Sequence, residues 1–256
     1  MKKLVVANWK MNPQTIEEAN NIFSGIKRTA QKITGVETVI CPPFLYISAF
    51  KLKDSLVKLG AQDAFWVNPL AGKGPYTGEI SPDMLKMAGV KYVIIGHSER
   101  RENFGETNEM VNKKVKAALE SGLKVILCVG EKERDHEHAY LRFIKTELEE
   151  GLRGIKKTNF KNLVIAYEPI WAIGKKGAEA DSPESVLQMS IYIRRVLQPI
   201  VGKELTHDLP IIYGGSAEPV NAEAFLKEGK VQGFLVGHAS LKPEQFNEIL
   251  KIANES

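Results

Sequence analysis

A closed barrel of eight parallel strands, each followed by helical chain, is the fold class this sequence predicts: α/β, a single (β/α)8 barrel. Three observations lead there. Short β-branched runs recur eight times within 256 residues, segments of helical character separate them, and the runs are continuous rather than alternating, as strands buried on both faces require. The expected strands cover residues 4–7, 38–41, 59–62, 92–95, 125–129, 163–167, 211–213 and 233–236. Between the fourth and fifth, residues 109–119 place Met110, Val111, Lys114, Val115 and Ala118 on one stripe, and Ser121-Gly122 is a stop signal. Ser182 is a good helix cap, and Pro183 behind it opens another helix. Eight such repeats in this length match the rhythm of a (β/α)8 barrel. A doubly wound open sheet would carry a glycine fingerprint after its first strand. Here that strand ends in Asn8-Trp9-Lys10-Met11-Asn12, and neither GxGxxG nor a Walker loop occurs. No linker or low-complexity tract divides the chain, so one domain, 1–256, is expected.

Composition narrows the function classes. With 43% hydrophobic and 26% charged residues, the chain is neither disordered, collagenous nor coiled coil. A net charge of +4, scattered along the sequence, is too small and diffuse for a nucleic-acid surface but suits local attraction of a small anion. Cys41 and Cys128 both sit in apolar runs and form neither a disulfide framework nor a metal cluster, which points to a reducing, cytoplasmic setting. The opening Met1-Lys2-Lys3-Leu4-Val5-Val6-Ala7 mimics a signal peptide, but its apolar stretch stops at Asn8, short of the roughly 7–15 residues a signal core needs. No apolar run approaches the ~20 residues of a membrane span, and no membrane partner is expected.

Barrel chemistry belongs at the C-terminal ends of the strands. Those ends supply Asn8 and Lys10, His97, Glu168, Gly214-Gly215-Ser216 and Gly237-His238. Each has a bland alternative: a solvated lysine, a histidine at a strand–helix junction, a loop carboxylate, two tight turns. Together they describe a site that binds a phosphate and moves a proton. A helix N-terminus disfavours the imidazolium, so His97 is biased toward a neutral ring able to donate to a carbonyl oxygen. Glu168, flanked by Tyr167 and Pro169-Ile170-Trp171, is desolvated by its neighbours and suits a base working near neutral pH. Residues 169–182, with an apolar head followed by Gly174, Lys175, Lys176 and Gly177, read as a mobile lid. Backbone amides at Ser216 and near Gly237, with a short helix behind, suit a phosphate. His136 and His138 resemble a metal pair, but on a helix a spacing of two puts them on different faces. Cys128 reads as a core thiol, and the pairs Lys2-Lys3, Lys113-Lys114 and Lys156-Lys157 read as solvated faces.

Five blocks, in order and at matching spacing, identify a family. Asn8-Trp9-Lys10-Met11-Asn12, Gly96-His97-Ser98-Glu99-Arg100-Arg101, Ala166-Tyr167-Glu168-Pro169-Ile170-Trp171-Ala172-Ile173-Gly174, Tyr213-Gly214-Gly215-Ser216 and Leu235-Val236-Gly237 resemble triosephosphate isomerase along essentially the whole chain. That family is itself the known example of a glutamate base paired with a neutral histidine electrophile. The resemblance implies interconversion of dihydroxyacetone phosphate and glyceraldehyde 3-phosphate through an enediolate, in glycolysis and gluconeogenesis, with no metal or organic cofactor. It implies catalytic roles for Glu168, His97 and Lys10, with Lys10 oriented by Asn8 and Glu99. It implies phosphate contacts from Gly174, Ser216, Gly237 and residue 238. It implies a homodimer in which Gly74-Pro75-Tyr76-Thr77-Gly78-Glu79 carries Thr77 toward Asn8 and Lys10 of the other chain.

The sequence departs from the family pattern in two places. The lid reads Ile173-Gly174-Lys175-Lys176-Gly177 and is two residues longer before Pro183, so a different closure of its C-terminal hinge is expected. His238 stands where a second glycine is usual, at a strain of about 1 kcal/mol if the position requires a positive φ, or with an added contact to phosphate. Two other readings stay open on the residues: a barrel lyase or synthase sharing only the phosphate turns, and a non-catalytic phosphometabolite-binding relative.

Overall fold

The computed structural model describes residues 2–50, 55–67, 74–175 and 181–256. Among them, eight parallel strands close into a barrel in sequence order: β1 (Lys3–Asn8), β2 (Val36–Cys41), β3 (Lys58–Ala61), β4 (Tyr92–Ile95), β5 (Lys124–Val129), β6 (Leu163–Tyr167), β7 (Ile211–Tyr213) and β8 (Gly233–Val236). The seam is the β1–β8 ladder, where Leu4 pairs with Gly233 and Ala7 with Val236. Gly233 permits it, because a Cβ there would run into the carbonyl of Leu4.

The continuous apolar runs resolve into two sets. Leu4, Val6, Val39, Cys41, Tyr92, Ile94, Ile126, Cys128, Val164, Ala166, Ile212 and Leu235 fill the barrel interior. Their alternates, such as Val5, Ala7, Val93, Ile95, Val125 and Leu127, pack outward under the helices. This is why the strands show no polar alternation: both faces are dry.

The helices follow the capping signals. Thr107 caps Asn108–Glu120, whose buried side includes Val111, Val115 and Ala118, and Gly122 follows with φ 82°. Met110 is only half-buried. Ser182 Oγ accepts from Ser185 N at 3.2 Å and Pro183 begins the helix Pro183–Val201. His136 and His138 precede the helix Ala139–Gly151 rather than lying on it, and both are exposed. Among the described residues, no helix is long and apolar enough to cross a membrane.

Of the two sequence readings of Lys114, the stripe it shares with Val111, Val115 and Ala118 is buried as expected, and the solvated face is overturned. Lys114 is not on a solvated face: it is 3% exposed, and its Nζ donates to both oxygens of Asp63, at 2.8 and 2.7 Å, and to Glu106 Oε1 at 2.5 Å. Arg100 Nε joins the same carboxylates, 2.9 Å from Asp63 and 2.5 Å from Glu106. Burial pushes the Asp63 carboxyl up, against the pull of Lys114. The cluster locks the segment after β3 to the helices that follow β4. Removing the lysine charge leaves two buried carboxylates under-compensated, a change that typically costs about 3–5 kcal/mol. Urea unfolding of Lys114→Met is expected to show a loss of that size; a loss below about 1 kcal/mol would place the cluster among solvated ion pairs.

Candidate active site

The C-terminal ends of the strands surround a cavity of about 350 Å³. Asn8, Lys10, His97, Glu168, Gly174, Ser216, Gly237 and His238 all line it, so parallel closure brings together residues drawn from five strand ends. Thr77 and Glu99 do not line it. Thr77 is exposed, and Glu99 acts one step back, its Oε1 accepting from Lys10 Nζ at 2.5 Å.

Lys10 sits just beyond β1 with φ 54°. Its backbone is pinned twice: Lys10 N donates to Asn8 Oδ1 at 3.1 Å, and Gln62 Nε2 donates to Lys10 O at 2.8 Å and to Cys41 O at 2.9 Å. Gln62 went unnoticed in the sequence because a lone amide at a strand end carries no spacing signal.

His97 is the N-cap of the helix Ser98–Phe104, and its Nδ1 accepts the backbone N–H of Glu99 at 3.2 Å. A nitrogen that accepts an N–H carries no proton, so the neutral ring places its hydrogen on Nε2. Nε2 faces Glu168 Oε1 at 3.3 Å. Glu168 is 2% exposed. Its Oε2 accepts from Ser98 N at 3.1 Å, which leaves Oε1 turned toward the imidazole and the cavity. A buried carboxylate oxygen so placed is suited to take a proton. Behind it Cys128, near the C-terminal end of β5 and facing the barrel interior, has its thiol pushed well above the usual range by burial and then by the Glu168 charge.

Two glycines are required here by close packing. A Cβ on Gly130 would strike the Glu168 carbonyl, and one on Gly214 would lie 2.8 Å from Glu168 Cγ. Gly214 therefore makes room for the carboxylate as well as turning the chain. Ser216 works on the lid: its Oγ accepts from Gly174 N at 2.7 Å and donates to Ala172 O at 3.1 Å. The lid head is a short turn, Ile170–Ala172, fixed by Trp171 Nε1 donating to Glu131 Oε1 at 3.0 Å. Ile173 and Leu235 supply apolar walls to the cavity. The expected change at the C-terminal hinge falls on residues 176–180, outside the described residues. His238 opens the short turn His238–Leu241 and is not among the residues with positive φ, so the strain expected of a non-glycine there does not arise.

A buried carboxylate, an imidazole and a lysine at the mouth of a closed parallel barrel, beside two glycine turns, are the architecture of a barrel enzyme. Comparison with known proteins narrows that class. The triosephosphate isomerase family matches residues 3–253. The chain is 44% identical to triosephosphate isomerase of Dictyoglomus thermophilum over 253 residues, 98% of this chain and 99% of that one. It is 46% identical to that of Dehalococcoides mccartyi strain BAV1 over 258 residues, 99% and 97% of the two chains, and 41% identical to that of Aquifex aeolicus, at 98% and 99% coverage. The chain belongs to the triosephosphate isomerase family and is an aldose–ketose isomerase.

Gly214→Ala puts a Cβ 2.8 Å from Glu168 Cγ and should push the carboxylate aside; misplacement by about 1 Å can cost roughly 100-fold in kcat. Steady-state kinetics of this variant with kcat unchanged would show that the carboxylate does not depend on that contact.

Proposed function

We propose that this chain interconverts dihydroxyacetone phosphate and glyceraldehyde 3-phosphate with Glu168 as the mobile base. The observation that carries the reading is the facing pair at 3.3 Å, Glu168 Oε1 and His97 Nε2, with the other imidazole nitrogen already occupied by an amide. Glu168 takes a proton from C1 of the ketose. The electron pair moves into the C1–C2 bond, and the C2 carbonyl oxygen becomes the enediolate oxygen, to which Nε2–H donates. The proton of the C1 hydroxyl passes to the C2 oxygen, relayed by Nε2 of His97, the C1–O bond becomes the carbonyl, and the same carboxyl returns a proton to C2 to give the aldose. Lys10, steadied by Asn8 and Glu99, places its positive charge beside the developing oxyanion and the phosphate. Ser216, Gly237 and His238 offer backbone amides and the dipoles of the turn behind β8 to the phosphate, and Gly174, which lines the same cavity, joins them by turning its amide away from Ser216 Oγ. The lid excludes water, so the enediolate is kept from eliminating its phosphate.

We infer further that the chain, 1–256, works as one domain in the cytoplasm, where free buried thiols such as Cys41 and Cys128 stay reduced, and that it pairs as a homodimer. Met11, Phe44, Leu45, Tyr76 and Met84 are large apolar side chains left exposed on the segments following β1, β2 and β3, and Tyr76 adjoins Thr77 in the chain. A surface of this kind is expected to be covered by a second copy, which brings Thr77 toward Asn8 and Lys10 of the other chain.

A coupled assay of glyceraldehyde 3-phosphate conversion, run beside Glu168→Gln, tests the chemistry. General-base catalysis is worth roughly 10²–10⁴-fold, so turnover is expected to collapse by at least that much in the variant. Negligible turnover by the folded wild type would favour a phosphometabolite-binding protein instead. Sedimentation at micromolar concentration is expected to give a species of twice the 28.5 kDa chain mass; monomer alone would contradict the pairing.

A further inference from the structure

Behind the base lies a second buried carboxylate for which the reaction as described has no use. Glu147, on the helix Ala139–Gly151, is 2% exposed. Its Oε2 accepts the backbone N–H of Gly130 at 2.9 Å, and its Oε1 lies 3.4 Å from Arg101 Nε. Arg101 in turn donates from Nε to the carbonyl of Gly96 at 2.8 Å and from Nη1 to Asn108 Oδ1 at 2.7 Å.

These contacts fall on two short turns of backbone. Gly96 is the residue before His97, and Ser98, two residues on, supplies the amide that holds Glu168 Oε2. Gly130 rests directly against the Glu168 backbone, and its neighbour Val129 accepts Glu168 N at 2.8 Å. The ion pair therefore grips the turn that carries His97 and the turn that backs Glu168. Arg101, Glu147, Cys128, Ser98 and Glu168 also share one small void of about 10 Å³, with room for at most a single water. Nothing but protein and that void separates the two carboxylates.

We propose that the buried Arg101–Glu147 pair is a positioning unit for the isomerisation, locking the His97 and Glu168 turns together and setting the charge behind the Glu168 carboxylate. The proposal rests on Glu168 being the base. When Glu168 accepts the substrate proton, its charge disappears, and an ionised Glu147 behind it favours that step by relieving like-charge repulsion. A neutral Glu147 does not. The groups facing Glu147 are Arg101, Cys128, Glu131 and Glu168, with Glu102 and Lys132 beyond them, paired at 3.6 Å across the neighbouring cavity. Burial first, then the charges of Glu168 and Glu131, push the Glu147 carboxyl up to about 7, against Arg101 and the Gly130 amide. The charge behind the base therefore changes within the working pH range, present above neutrality and lost below it.

The test is the pH profile of kcat, from pH 6 to 8.5, for wild type, Glu147→Gln and Glu147→Asp. Glu147→Gln is expected to lower kcat at pH 8 by roughly tenfold with KM little changed, and to flatten the fall of kcat between pH 8 and 6. Glu147→Asp keeps the charge and should restore the pH-dependent fall even if its absolute rate is reduced; should Glu147→Gln fail to fold, the shorter carboxylate carries the test through the midpoint of that fall, which is expected to shift from the wild-type midpoint and whose coincidence with it would overturn the proposal. The proposal is overturned if Glu147→Gln keeps the wild-type profile and rate, or if the Asp and Gln variants lose activity equally with no change in the shape of the profile. Either result, obtained while Glu168→Gln still collapses turnover, removes this inference and leaves the base assignment standing.

Discussion

The first turn of the helix after β4 is where the active site is assembled. Within six residues, Gly96 O anchors Arg101, His97 Nδ1 takes the Glu99 amide, the Ser98 amide holds Glu168, the Glu99 carboxylate holds Lys10, and Arg100 enters the buried Asp63–Glu106–Lys114 cluster. A helix start leaves backbone N–H groups free to point outward, and here two of them are spent on His97 and Glu168. If this turn moved, the imidazole, the carboxylate and the ammonium would all lose their alignment together.

That turn has such reach because the barrel closes. The β1–β8 ladder brings Lys10 beside Gly237, so closely that a Cβ on Gly237 would lie 3.4 Å from Lys10 Cε. Parallel strands then deliver every C-terminal end to one mouth, where side chains can be charged, while the barrel interior below stays apolar. The polar mouth over a dry core is the arrangement a proton transfer needs. Water is scarce enough for a carboxylate to act as a base, and fixed dipoles replace the solvent it has lost.

The fold was legible because both-face burial writes itself as uninterrupted β-branched runs. Tyr92–Ile95, Leu163–Tyr167, Ile211–Tyr213 and Gly233–Val236 stand on the residues expected of them. The differences lie at ends that extend into polar residues, such as Lys3 and Asn8 of β1, and at β3, which starts at Lys58 and stops before Gln62. Asn8, Lys10, His97, Glu168, Ser216, Gly237 and His238, which line the cavity, were legible too, since each sits at or just after a strand end or in one of the two glycine turns; the phosphate role of Gly174, on the lid, came only with the family resemblance. Buried charge was illegible. Lys114 looked like half of a solvated lysine pair, and nothing around Glu147 in the chain distinguishes it from a surface charge, because Asp63, the distant partner of Lys114, and Arg101 and Gly130, the partners of Glu147, are brought in by the fold rather than by the local sequence. The extra function of Gly214, making room for a carboxylate on another strand, was hidden for the same reason.

The orientation of His97 is the point on which this account of the chemistry turns, and the ring nitrogens can be observed directly. A ¹⁵N–¹H NMR correlation spectrum of histidine-labelled protein at neutral pH, assigned through His97→Gln, should show a hydrogen on Nε2 and none on Nδ1. That is the state demanded by the Glu99 amide and needed to donate to the substrate oxygen. A hydrogen on Nδ1, whether alone or on both nitrogens, would mean that the amide does not set the tautomer and would contradict His97 as a neutral donor.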